Sequence, residues 1–379
     1  MKHSMILMIL TLTLFIGCSP KTVINDPVVS VQAIVETDTL VSVQATVETD
    51  PVPSPSEDDA ADDLCIWIHP TDPSLSTIIG THNVGPVGLL VYDLEGNELS
   101  RVEDGGINNV DIRYNFPLAG DSVALVTGGN QTENTIAIYK VNVETRALEN
   151  VAARNLPIGL DAGVYGSCMY YSEITGKFYA IINEKTGKIE QWELFDNGAG
   201  KVDGKLVRTL YANSKTEGCV ADDILAKLYV GEENVAILQF EAEPDAGVEQ
   251  TVVALTKFHF PGDLEGLCLY YADRETGYLI GSSQENSTYV VYTREAPYNY
   301  VGTFQVIDGE TIDGAQDTDG VDVTNFGLGS AFSNGMFVCQ DGLNPGGSQN
   351  FKLVPWEEIA KRISPELKMS TSYDPRILK

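Results

Sequence analysis

Asp263-Leu264-Glu265-Gly266-Leu267-Cys268-Leu269-Tyr270 decides the reading of this chain, because carboxylates and a glycine run straight into a short apolar strand. Related lead-ins precede it at Asp62-Asp63-Leu64-Cys65-Ile66-Trp67, Asn109-Val110-Asp111-Ile112-Arg113, Tyr165-Gly166-Ser167-Cys168-Met169-Tyr170 and Glu217-Gly218-Cys219-Val220. One more follows at Asp319-Gly320-Val321-Asp322-Val323. Six occurrences about fifty residues apart mean an array of supersecondary units of the size of a propeller blade. In a propeller, equivalent positions of successive blades surround one axis, so the five lead-ins that carry acids deliver them to the same end of a central channel. A ring of acids at a channel mouth calls for cations.

The segments between the lead-ins agree. Lys177-Phe178-Tyr179-Ala180-Ile181-Ile182, a turn at Lys185-Thr186-Gly187-Lys188, and Ile189-Glu190-Gln191-Trp192-Glu193-Leu194 form two strand-like runs around a turn. Gly277 to Ser282 and Thr288 to Tyr292, separated near Asn286, repeat the pattern. Helical periodicity is absent there; only Trp356 to Arg362 reads as helix. The spacing of the glycines at 166, 218 and 266 argues against a β-sandwich or two unrelated β domains, and the expected fold is an all-β, six-bladed β-propeller over residues 58–362.

Outside that range, Lys2 and His3 precede an apolar run from Met5 to Ile16 that ends in Gly17-Cys18, the pattern of an export signal over residues 1–18. Gly-Cys at its end resembles a bacterial lipobox, which would acylate Cys18 and make the membrane a partner through that lipid alone; ordinary secretion is the other reading. Residues 19–57 lack glycine and aromatics, duplicate Val29-Ser30-Val31-Gln32-Ala33 as Val41-Ser42-Val43-Gln44-Ala45, and add Pro51, Pro53 and Pro55. They read as a tether, although the duplicated strands could pair with each other. Residues 363–379 are a C-terminal tail.

Five cysteines remain, Cys65, Cys168, Cys219, Cys268 and Cys339, and as small apolar residues in core strands they read as packing rather than a disulfide framework. No Cys-x-x-Cys occurs, and His3, His69, His82 and His259 lack zinc spacing. The formal net charge of −30 excludes general nucleic-acid binding. Asp308-Gly309-Glu310 leading to Asp313-Gly314 and Asp317-Thr318-Asp319-Gly320 interleaves carboxylates with glycine, as a Ca²⁺ site requires, without EF-hand spacing. Cys268 and Arg274 match the bare spacing of cysteine phosphatases, but the residues between them form a strand rather than a phosphate cradle. No Gly-x-Ser-x-Gly elbow is present.

Several motifs together resemble the β-propeller phytases: Asp62-Asp63 before Ile66-Trp67, Asn108-Asn109-Val110-Asp111-Ile112-Arg113-Tyr114, Thr216-Glu217-Gly218, Asp263-Leu264-Glu265-Gly266-Leu267, Ser282-Ser283-Gln284, Asp317 to Asp322, Gln340-Asp341-Gly342-Leu343-Asn344, and Gln349 to Trp356. The match runs in order from about Asp58 to Ile359. It implies a monomeric hydrolase of phytate, myo-inositol hexakisphosphate, working with several calcium ions that activate water for in-line attack at phosphorus. By position, Asp62, Glu217, Glu233, Asp263, Glu265, Gln284 and Asp319 would hold the calcium of the active centre, and Glu217, Glu233, Asp263, Glu265 and Asp319 would carry catalysis. Asp63, Asp313, Asp341 and Asn344 would hold structural calcium, and Tyr165, Lys185, Gln131 and Arg113 would meet the substrate.

The chain departs from the family in three places. His82 to Val87 carries no lysine, Gln131 stands where the family has a phosphate-binding arginine, and Thr186 replaces an acid. A weakened phosphate grip leaves two alternatives: a calcium-stabilised propeller that binds inositol phosphates or a partner without catalysis, or a hydrolase of a less charged ester.

Overall fold

The computed structural model describes residues 40–53 and 60–377, a body of six sheets, antiparallel but for one added edge strand. The expected signal with Cys18, and the tether except for residues 40–53, lie outside the described residues.

Each lead-in opens the innermost strand of a sheet. The inner strands are Leu64–Trp67, Ile107–Leu118, Ser167–Tyr171, Thr216–Asp222, Leu264–Tyr271 and Val321–Thr324. Each packs beside the inner strand of the next sheet and the sixth meets the first, so the ring closes as a six-bladed propeller. Alternation places one face of each strand against a neighbouring blade, and the buried apolar residues form layers between blades. The five cysteines among the described residues are buried, free and part of this packing.

Residues 40–53 correct the tether reading. Leu40–Val43 adds in parallel to Tyr300–Val306 at the outer edge of blade five, with Val43 opposite Val306. Val47–Glu48 then pairs with Asn350–Pro355 as the fourth strand of blade six, with Glu48 opposite Lys352. The second copy of the duplicated motif therefore closes the propeller with sheets far away in sequence, because Val43 and Val52 bury their side chains there. The C-terminal tail also packs on the body. Ile363 and Leu367 are buried, Tyr373 stacks on Tyr271 at 4.6 Å between ring centroids, and Arg376 donates to the His69 carbonyl at 2.7 Å. Tyr373 and Pro375 thereby cover the channel end opposite the lead-ins, over Arg113 and Asp322.

Inside the channel, carboxylates link one blade to the next. Asp63 accepts from the Val110 amide (3.1 Å), Asp111 from Met169 (2.7 Å), Asp223 from Tyr171 (3.0 Å) and Asp322 from Ile66 (2.9 Å). Burial pushes Asp63 up to about 8 and Asp223 and Asp322 up to about 7. Between the ordinary aspartate range and those values, the folded protein holds protons that the unfolded chain has released, so stability falls as pH rises through that window. In chelator, the melting temperature should be higher at about pH 5.5 than at about pH 8.5. A thermal scan that is flat or rises with pH would show these acids ionised throughout.

Candidate active site

At the lead-in end of the channel the acids converge. One carboxylate oxygen from each of Glu217, Glu233 and Glu265 lies within 4.8 Å of the others, and all three residues are buried. The Glu-Gly sequence follows from ring geometry. A Cβ on Gly166 would sit 1.9 Å from the Glu217 carbonyl oxygen, one on Gly218 1.7 Å from that of Glu265, and one on Gly266 2.7 Å from that of Asp319. At these three positions only glycine lets the lead-in backbone press on the next, and that contact holds the acids in a ring.

Asn108 is the hub. Its amide nitrogen donates to Asp62 Oδ2 (2.8 Å) and Glu217 Oε1 (3.0 Å), and Asn83 adds a second donor to Asp62 (3.0 Å). On the far side, the Gln284 side-chain amide donates to Asp319 Oδ1, and its backbone N–H to the Asp263 carbonyl. Six lead-in and rim acids (Asp62, Glu217, Glu233, Asp263, Glu265, Asp319) and Gln284 thus belong to one cluster. Burial, then Glu217, Asp319 and Glu233, push the Glu265 carboxyl well above its ordinary value. Glu265 Oε2 is buried and, its carboxylate neighbours aside, has no donor to accept from. Burial also raises Glu233, together with Glu217 and Asp263, against the opposing pull of Lys215. Clustered hard oxygen donors that repel one another are what an oxygen-seeking divalent cation needs, and this donor set fits calcium.

Substrate-side residues line the rim. Lys185 Nζ stands 4.1 Å from the Tyr165 ring centroid, and burial, then the charge of Glu217, raises the pKa of the Tyr165 hydroxyl. Gln131 points into the cluster, its amide donating to Asn108 Oδ1.

Three expectations change. Arg113 does not reach this rim: its guanidinium is buried, ion-paired with Asp111 (3.0 Å) and Asp223 (2.8 Å), and donates to the Met169 and Ala221 carbonyls. It is five positions along the inner strand from Asn108 and ties blades two, three and four together. Asp63, expected to hold structural calcium, accepts from the Val110 amide, away from Asp313, Asp341 and Asn344. Those three do converge, joined by Glu48, but on the fully buried Lys352 ammonium: Glu48 at 2.6 Å, Asp313 at 2.5 Å, Asp341 at 3.1 Å and Asn344 Oδ1 at 2.9 Å. Neither the hub role of Asn108 nor the place of Lys352 was assigned from sequence, since both depend on partners from other blades.

A propeller whose channel mouth joins a carboxylate cluster to lysines defines a site for hard cations and phosphate-bearing anions. The family described as Phytase matches residues 4–379. A 3-phytase from Bacillus subtilis (strain 168) is 44% identical over 335 residues, covering 86% of this chain and 87% of its own. The chain belongs to the phytase family. Among solved structures, the RRP9 WD40 repeats superpose with a TM-score of 0.43 at 9% identity over 78% of both chains, and U3-55K with the same score and identity over 75% of both. Those resemblances are loose, and the six sheets define the fold by themselves.

Proposed function

We propose that this protein hydrolyses phytate at the channel mouth and that the reaction depends on calcium held by Asp62, Glu217, Glu233, Asp263, Glu265, Gln284 and Asp319. The observation that carries the reading is the buried convergence of Glu217, Glu233 and Glu265, three acids that, among the described residues, form one ion pair, that of Glu233 with Lys215. A chain of net charge −30 repels a polyanion unless cations stand between them. Calcium bound there would supply that inversion, polarise the phosphoryl oxygens and lower the pKa of water. The chain's own part is to hold and orient. Asn108 spaces Asp62 from Glu217, and Lys185, seated on the Tyr165 ring, presents an ammonium to the arriving phosphate. The carboxylates of the cluster are placed together to hold cations, and in this reading water attacks phosphorus directly. Purified protein should release phosphate from phytate in calcium and not in chelator. A folded, calcium-saturated sample that binds inositol phosphates without release would establish the binding-module alternative.

Gln131 tests the grip. Its side chain already reaches Asn108, so an arginine there would place a guanidinium beside the cluster. A charge-assisted hydrogen bond contributes about 1.5–3 kcal/mol against about 1 for a neutral one, so Gln131→Arg should raise kcat/KM for phytate about tenfold with the melting temperature in calcium unchanged. An equal or lower rate in a folded variant would remove this position from phosphate binding.

A further inference from the structure

The Tyr165 ring carries a second cation. Lys215 Nζ lies 5.1 Å from its centroid and Lys185 Nζ 4.1 Å, and Lys215 Nζ is also 2.6 Å from Glu233 Oε1. Lys215 immediately precedes the inner strand of blade four, and its carbonyl accepts from the Glu233 amide at 3.1 Å, which fixes where the side chain starts. The side chain is 38% exposed, whereas that of Glu233 is 3% exposed, so the ammonium stands between the acid cluster and solvent.

We propose that Lys215 grips the substrate, its ammonium closing with that of Lys185 over Tyr165 on one phosphate group and supplying charge that Gln131 lacks. This rests on the phytase reading above. Three observations carry it. Two cations on one aromatic ring repel each other, and an anion between them relieves that repulsion while keeping both cation–π contacts. Buried Glu233 takes the inner side of the Lys215 ammonium, and the 38% of the lysine side chain left exposed gives an anion access to its outer side. The flexible four-carbon stem lets the ammonium leave Glu233 for a phosphate at small cost, and any cation held by Glu233 weakens the competing contact. A site with two ammonium groups and one aromatic face selects a compact, doubly charged phosphate monoester over a diester.

The test compares Lys215→Met and Lys215→Arg with wild type in saturating calcium, by steady-state kinetics on phytate and by calorimetric binding of myo-inositol hexakissulfate, which is not hydrolysed. Lys215→Met should raise KM and weaken hexakissulfate binding by about tenfold each, with kcat within about threefold. Lys215→Arg should restore both, and the melting temperatures should agree. Unchanged hexakissulfate affinity in Lys215→Met overturns the proposal, as does a loss that appears only in kcat. A wild type that binds no hexakissulfate in calcium overturns it as well. A wild type that binds hexakissulfate but releases no phosphate overturns the hydrolytic reading instead, and the binding comparison still decides the role of Lys215.

Discussion

Glu265→Gln should lower phytate hydrolysis by about two to three orders of magnitude while raising the melting temperature measured in chelator. The two signs come from one cause. Glu265 is buried against Glu217, Asp319 and Glu233, and all of them oppose its ionisation. Glutamine keeps the shape, removes one negative charge, and can donate to Glu217, so the cation-free fold loses a repulsion rather than a bond. With a cation bound, the order reverses: a carboxylate is exchanged for a neutral amide at the centre of the donor set, and the stabilisation by calcium should shrink. Phosphate release and thermal scans with and without calcium read both effects. A wild-type rate would remove the cluster from the chemistry, and a lower melting temperature in chelator would make Glu265 a structural residue.

The propeller was legible because the ring writes itself into the sequence. Gly218 recurs before a strand because a Cβ there would lie 1.7 Å from the Glu265 carbonyl oxygen, and its counterparts at 166 and 266 are under the same pressure. The division of labour among the acids was less legible. Asp62 and Asp63 are neighbours, yet alternation sends one to Asn108 at the mouth and the other to the Val110 amide as a link between blades. The resemblance placed Arg113 at the substrate; five residues of extended chain instead carry it into the channel, where Asp111 and Asp223 already claim it. Residues 40–48 read as tether because their partners lie about 260 to 305 positions away, a pairing that no local pattern specifies.

Lys352→Met should destabilise the protein most in chelator, and calcium should recover more of the loss than it adds to wild type. Lys352 has no exposed side-chain area, and its ammonium is the common partner of Glu48, Asp313, Asp341 and Asn344. Burial works against its charge, but Asp313, Glu48 and Asp341 together hold its pKa above the ordinary lysine value. Methionine fills the same space and leaves three carboxylates facing one another where Val47–Glu48 closes the sixth blade. Breaking a buried ion pair from one side costs about 3–5 kcal/mol, so the melting temperature in chelator should fall by roughly 5–15 °C. Three of the four vacated groups, Asp313, Asp341 and Asn344, are ones that the family resemblance implied for structural calcium, and Glu48 is the fourth. With the ammonium gone they become a donor set for a divalent ion, so the calcium-dependent shift should exceed that of wild type. An equal shift in both proteins would show that this quartet serves the lysine alone, and an unchanged melting temperature in chelator would show that closure of the ring does not rest on the ammonium.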